Sequence, residues 1–133
     1  MPLEPLRARL AAGIIERYDG HLLIALPPGG DERLRLWEFP RDVVRSDESP
    51  EAAMRRVARE QLGVEVEIVV GQPPISVRLE GVEVEMRYFF CGLAEGEARP
   101  GPYAEIRWVS KGHLREYDFE SGSKPVAEWL LGL

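Results

Sequence analysis

The sequence predicts an α+β fold, a mixed β-sheet sandwiched between α-helices. Three observations predict it. Runs of alternating apolar and polar residues recur at strand length between turn signals. The middle stretch 50–62 carries apolar residues at helical spacing, with a start and a stop signal. A second helical pattern closes the chain at 124–131. Strands, helix, strands and helix therefore follow one another, an order that layers helices on a sheet.

The chain has 133 residues, of which 44% are hydrophobic and 30% charged. That suits one globular domain over residues 1–133, with 1–6 as a loose lead-in bearing two prolines. No apolar run reaches the length of a membrane span, so no membrane partner is expected. The first residues lack the basic start and apolar core of a signal peptide, and a cytoplasmic location is the expectation. The net charge of −6 argues against duplex nucleic acid, which needs a basic surface. Cys91 is the only cysteine, so neither an intramolecular disulfide nor a cysteine zinc cluster can form. It follows the run Tyr88-Phe89-Phe90, which marks a buried, inert thiol.

In chain order, residues 9–17 read as a strand with small residues where something packs closely. Asp19-Gly20 turns the chain, and 21–26 is the returning strand. The stretch 27–32, with two prolines and two glycines, is a loop; it lacks the following lysine of a phosphate loop. Residues 37–40 are extended and lead into a further loop. Residues 64–70 alternate and then turn wholly apolar, as a strand entering the core would. Residues 75–79 and 82–88 alternate on either side of Glu80-Gly81, a hairpin, with Glu83, Glu85 and Arg87 on the wet face. The stretch 94–102 is a loop and 105–109 a strand.

The central helix is the most explicit element. Ser49 is placed to cap it, Pro50 suits the first helical position, and Glu51 complements the dipole. Gly63 ends it. Ala53, Met54, Ala58 and Leu62 form the face to be buried, while Val57, Glu60 and Gln61 share another.

The stretch Trp37–Val64 resembles the Nudix box of the MutT-like nucleotide pyrophosphohydrolases: a Gly, five residues, a Glu, seven residues, then Arg-Glu-apolar-x-Glu-Glu-x-Gly-apolar. Here the opening Gly falls at Asp42, the first Glu at Glu48, the Arg at Arg56, the late Gly at Gly63 and the last apolar residue at Val64. The lead-in Trp37-Glu38-Phe39-Pro40 and the run 104–110 around Trp108-Val109 are also similar to the family. The resemblance covers nearly the whole chain and implies the Nudix-like fold.

It also implies a chemistry. Family members hold Mg²⁺ or Mn²⁺ on the carboxylates of Arg-Glu-x-x-Glu-Glu and cleave a nucleoside diphosphate linked to another group. The three carboxylate positions are Val57, Glu60 and Gln61 here, so one of three survives. The resemblance makes Glu60 the metal ligand and catalytic acid group, and Arg56 the residue that orients it. Asp42 stands where a glycine backbone usually serves, as a substitute ligand or a disturbance of the turn. Arg33, Arg35 and Phe39 border the expected ligand cleft. Ser123 matches an Asn that contacts the base in members that read an oxidised guanine; a single hydroxyl cannot replace that amide. Glu105, Asp118 and Glu120 are further acids toward the C-terminus. Two function classes follow. One is a pyrophosphohydrolase of nucleoside diphosphate derivatives with weak or absent activity. The other is a non-catalytic module that binds a nucleotide-like small molecule or a protein partner. The fold often dimerises, which leaves a homodimer open.

Overall fold

The computed structural model describes residues 7–29 and 33–132; the expected lead-in 1–6 lies outside them. Seven strands build one sheet: β1 (Arg9–Glu16), β2 (Leu22–Leu26), β3 (Arg41–Val43), β4 (Glu65–Gly71), β5 (Ile75–Leu79), β6 (Val82–Glu95) and β7 (Glu105–Val109). The order along the sheet is β4-β6-β1-β2-β7, with β3 paired to β1 and β5 to β6. The β1–β6 pair is parallel and the other pairs are antiparallel, so the sheet is mixed.

Period-two alternation along β1 explains the two layers of core. Ala11 and Ile15 face a cluster with Met54, Val57, Leu62 and Phe89. Ala12 and Ile14 face a cluster with Trp37, Phe39, Tyr88 and Phe119. The first cluster is covered by α1 (Pro50–Arg56) and its continuation as a π-helical segment, Val57–Leu62. The second is covered by a 3₁₀ helix, Lys111–Glu116, and α2 (Lys124–Leu130). Gly13 is one of the expected small residues. A Cβ there would clash with the end of the Met54 side chain, which glycine leaves room for.

The signals of α1 act as written in the sequence. Ser49 Oγ accepts from the Ala52 N–H at 3.1 Å, Pro50 opens the helix, and Gly63 ends the helical run at φ 71°. The hairpin at Glu80-Gly81 is tight, with positive φ at both residues. Cys91 is buried, and its thiol is pushed up to about 12 by desolvation.

Three expectations are corrected. The end of β4 does not enter the core: Val69 and Val70 are exposed, because β4 is the last strand of its side and the second layer does not extend over it. The expected loop after Pro40 begins with β3, since the Arg41–Val43 backbone finds partners in Leu10–Ala12 of β1. Val57, Glu60 and Gln61 do not form one exposed face: Val57 is fully buried, Glu60 is exposed and Gln61 is half-buried, along a run that is π-helical from Val57 to Leu62.

Candidate functional site

The segment Trp37–Val43 builds the site. β1 and β2 pair only at their hairpin end, Glu16 against Leu22, and then diverge. The segment passes through the gap. Glu38 exchanges two backbone hydrogen bonds with Ala25, each 2.8 Å, and the Gly13 N–H donates to the Pro40 carbonyl at 2.9 Å. On the other side Trp37 N–H donates to Asp118 O at 2.8 Å and Glu120 N–H to Trp37 O at 3.0 Å. Glu38 and Glu120 are thereby carried by adjacent extended segments, and Arg41 follows three residues after Glu38.

The three side chains meet. Arg41 Nη1 donates to Glu120 Oε1 at 2.8 Å and Nη2 lies 3.2 Å from Glu38 Oε1. The Gly122 N–H holds the other Glu120 oxygen at 2.7 Å. Burial pushes the Glu38 carboxyl up to about 7, against the pull of Arg41 and with the push of Glu120. This clamp lines a cleft of about 1180 Å³ whose apolar lining includes Leu26, Pro27, Leu34, Leu36 and Leu79. Arg35 lines the same cleft and pairs with Glu105 at 2.7 Å.

A second polar network lies toward α1. Arg56 donates through Nε and Nη2 to the two oxygens of Glu48, at 3.2 and 2.7 Å. Its Nη2 also reaches Val43 O at 2.8 Å and its Nη1 reaches Asp42 Oδ2 at 3.0 Å. The bidentate guanidinium, helped by the Arg45 N–H, holds the Glu48 carboxyl down to about 2. The network continues through Gln61, whose Nε2 donates to Asp42 Oδ2 at 3.4 Å and whose Oε1 accepts from Tyr103 Oη at 2.9 Å. Tyr103 Oη in turn accepts from the Arg41 N–H at 3.2 Å, which ties the network to the clamp. Glu38 and Arg41 also line a smaller pocket of about 310 Å³ together with Asp42, Gln61 and Tyr103.

These contacts locate the residues singled out from the sequence. Arg56 sits at the centre of the network, but its partners are Glu48 and Asp42. Among the described residues no ion pair joins it to Glu60, which projects to solvent. Both oxygens of Asp42 accept hydrogen bonds, Oδ1 from the Val43 N–H at 2.8 Å. Among the described residues no group of three or more His, Cys, Asp or Glu side chains is placed to hold a metal ion. Arg35 reaches the cleft, and Arg33 lies exposed just before it. Phe39 is fully buried and stacks on Phe119 at 5.5 Å. Ser123 is 1% exposed, with its hydroxyl buried beside Tyr88 and Glu120. Glu38, Arg41 and Tyr103 were not singled out as site residues. A carboxylate between Trp37 and Phe39 in an otherwise apolar run was the one available signal.

The fold has relatives. A curated protein, the CTP pyrophosphohydrolase of Escherichia coli strain K12, is 29% identical over 126 residues, covering 93% of this chain and 91% of that protein. The solution structure of the E. coli ORF135 protein superposes with a TM-score of 0.76 at 26% identity, over 98% of this chain and 95% of that one. The crystal structure of a MutT protein from Methanosarcina mazei Go1 superposes with a TM-score of 0.77 at 18% identity, over 97% and 94%. A family model for the NUDIX domain matches residues 11–129, and the chain therefore belongs to the Nudix family.

Proposed function

We propose that this Nudix protein takes a nucleotide-type ligand in its cleft and that its metal-dependent pyrophosphohydrolysis is weak or absent. Family membership and a curated relative named CTP pyrophosphohydrolase support the ligand class. One observation carries the second half: the joint contact of Asp42, Arg56 and Gln61. Mg²⁺ needs oxygen donors, chiefly carboxylates, that are free to face the ion. Asp42 already accepts on both oxygens, and the carbonyl of Gln61 already accepts from Tyr103. Val57 has no donor atom and is buried, which leaves Glu60 by itself on an exposed turn. The donor set does not fit a carboxylate-held Mg²⁺ ion.

Within this reading Glu38, Arg41 and Arg35 meet the ligand, Glu60 and Arg56 are the residues on which any residual turnover depends, and Mg²⁺ or Mn²⁺ is its cofactor. A cytoplasmic location belongs to the same reading. The alternative of a purely non-catalytic binding module is favoured by the engagement of both Asp42 oxygens. The test is release of phosphate or nucleoside monophosphate from nucleoside triphosphates, dinucleoside polyphosphates and nucleotide sugars, with either metal over a wide range of protein concentration. The expected result is turnover orders of magnitude below that of an ordinary Nudix hydrolase. Fast turnover that a chelator abolishes would overturn the proposal.

A further inference from the structure

The second core layer stops short of one side of the sheet. β4 and β5 lie end to end along β6 and form that side. Val70 stands opposite Phe90 and Ile75 opposite Met86. Met86 belongs to the second core cluster and Phe90 packs against it, so Val70 and Ile75 share the face that α2 covers. The ring of Trp129, on α2, packs on Phe90 with 5.6 Å between centroids. Beyond that contact the cover ends: Trp129 is 59% exposed, and Val70 and Ile75 are exposed beside it. An apolar strip of this kind, on a face otherwise open to water, marks a contact surface.

The two ends of the strip differ in charge. Past Phe90 on the same face, Gly92 is flanked by Glu16 of β1 and Glu67 of β4, both exposed. A Cβ on Gly92 would meet nothing within 4 Å, so this end is open. α2 begins toward the other end, where Gly122 abuts Leu79 of β5, and its first residue is the exposed Lys124. Among the described residues no ion pair engages Glu16, Glu67 or Lys124. Addition of a further strand at this edge is hindered, because β4 is bulged between Ile68 and Val70 and Pro73-Pro74 separates it from β5. An occupant therefore docks through side chains. A second copy of the chain matches both the apolar strip and its ends. A two-fold axis through the strip sets apolar side chains against one another and brings Lys124 of each copy to the acidic end of the other. We propose that Val70, Ile75 and Trp129 form the face through which two copies of this chain associate, with Lys124 paired across the axis to Glu16 and Glu67. The association needs neither metal nor nucleotide and is independent of the ligand class proposed above.

The test is sedimentation velocity of the full chain from about 1 to 500 µM. A monomer–dimer equilibrium with a dissociation constant in the micromolar range is expected, because a few apolar anchors per copy make a small interface. Trp129→Glu should weaken the dimer at least about tenfold, as loss of an aromatic anchor does. Glu67→Lys and Lys124→Glu should each weaken it about threefold. The double variant, which exchanges the two signs, should dimerise more tightly than either single variant. A chain that sediments as a monomer throughout would overturn the proposal and leave the strip to a partner of other chemistry. A dimer that Trp129→Glu leaves intact, or a double variant no tighter than the single ones, would overturn it as well. Thermal melts establish that each variant is folded. Val70→Glu carries the same expectation as Trp129→Glu and replaces it if the latter fails to fold.

Discussion

Two polar clusters meet at β3, and they are built on opposite terms. Around Arg56, the carboxylates of Glu48 and Asp42 have donors on all their oxygens, and Gln61 and Tyr103 link the cluster onward to the β3 backbone. Around Arg41, Glu120 is held through both oxygens, while Glu38 is buried against Arg41 and lines a cleft. A network that fills its own acceptors holds secondary structure in place and offers little to a ligand. A cluster whose buried carboxyl lines a cleft stands within reach of a ligand. The two also titrate in opposite senses. Glu48 is held down to about 2 by Arg56, and Glu38 is pushed up to about 7 by desolvation.

The closed network is the easier one to break. Arg56→Ala strands the two carboxylates it holds, Glu48 at 13% side-chain exposure and Asp42 at 40%, and is expected to cost about 3 kcal/mol in urea unfolding. Arg56→Lys should recover only a small part, because an ammonium cannot pair bidentately with Glu48. A loss below about 1 kcal/mol for the alanine variant would show that the network does not hold α1 to β3.

The contrast in titration gives the next largest effect. Unfolded, Glu38 releases its proton near the ordinary 4.5; folded, it keeps it to about 7. Its contribution is complete below 4.5 and is lost as pH rises to about 7, a decline of about 3 kcal/mol that Glu38→Gln should remove. Glu48 works the other way: its contribution is present above 4.5 and is lost as pH falls toward 2. Melting temperatures from pH 3 to about 8 for wild type and Glu38→Gln separate the two. A wild-type profile that is flat between 4.5 and 7 would contradict the assignment of Glu38.

The smallest effect sharpens the difference between the clusters. Gln61→Glu sets a carboxylate against Asp42 Oδ2, where the Gln61 amide now donates at 3.4 Å. The expected cost at pH 8 is about 1 kcal/mol, diminishing on acidification as the pair takes up a proton, and partly reversed by added Mn²⁺. A variant as stable as wild type at pH 8, and indifferent to metal, would mean that Gln61 is not matched to Asp42.

The helical signals were readable because each is local. Ser49, Pro50 and Gly63 act on backbone groups within a few residues, so their roles were plain before any tertiary contact was known. Strand positions in β5 and the start of β6 were readable for the same reason, since alternation belongs to the segment itself, and β1 and β2 were marked by the Asp19-Gly20 turn between them. The end of β4 misled because its apolar residues say nothing about whether a second layer covers an edge. Site residues were readable only as box positions. Arg56 was visible through the resemblance, while its true partners were not, because i, i+4 spacing favoured Glu60 and the fold brings Asp42 and Glu48 instead. Glu38 was hidden inside an apolar motif, where its sequence context reads as core.

Chemistry along the chain by itself determined the Nudix-like architecture, the capped helix and the loss of two of the three box carboxylates at Val57 and Gln61. Those properties depend on residue type and short-range order. Only the tertiary structure decided which groups face one another. Arg41 reaches Glu120 across 79 positions and Tyr103 reaches Gln61 across 42. The first contact exists because the segment from Trp37 to Val43 passes between diverging strands, a gap that sheet pairing sets. No local pattern records where a gap in the sheet will open, and so none could show which carboxyl would come to line the cleft.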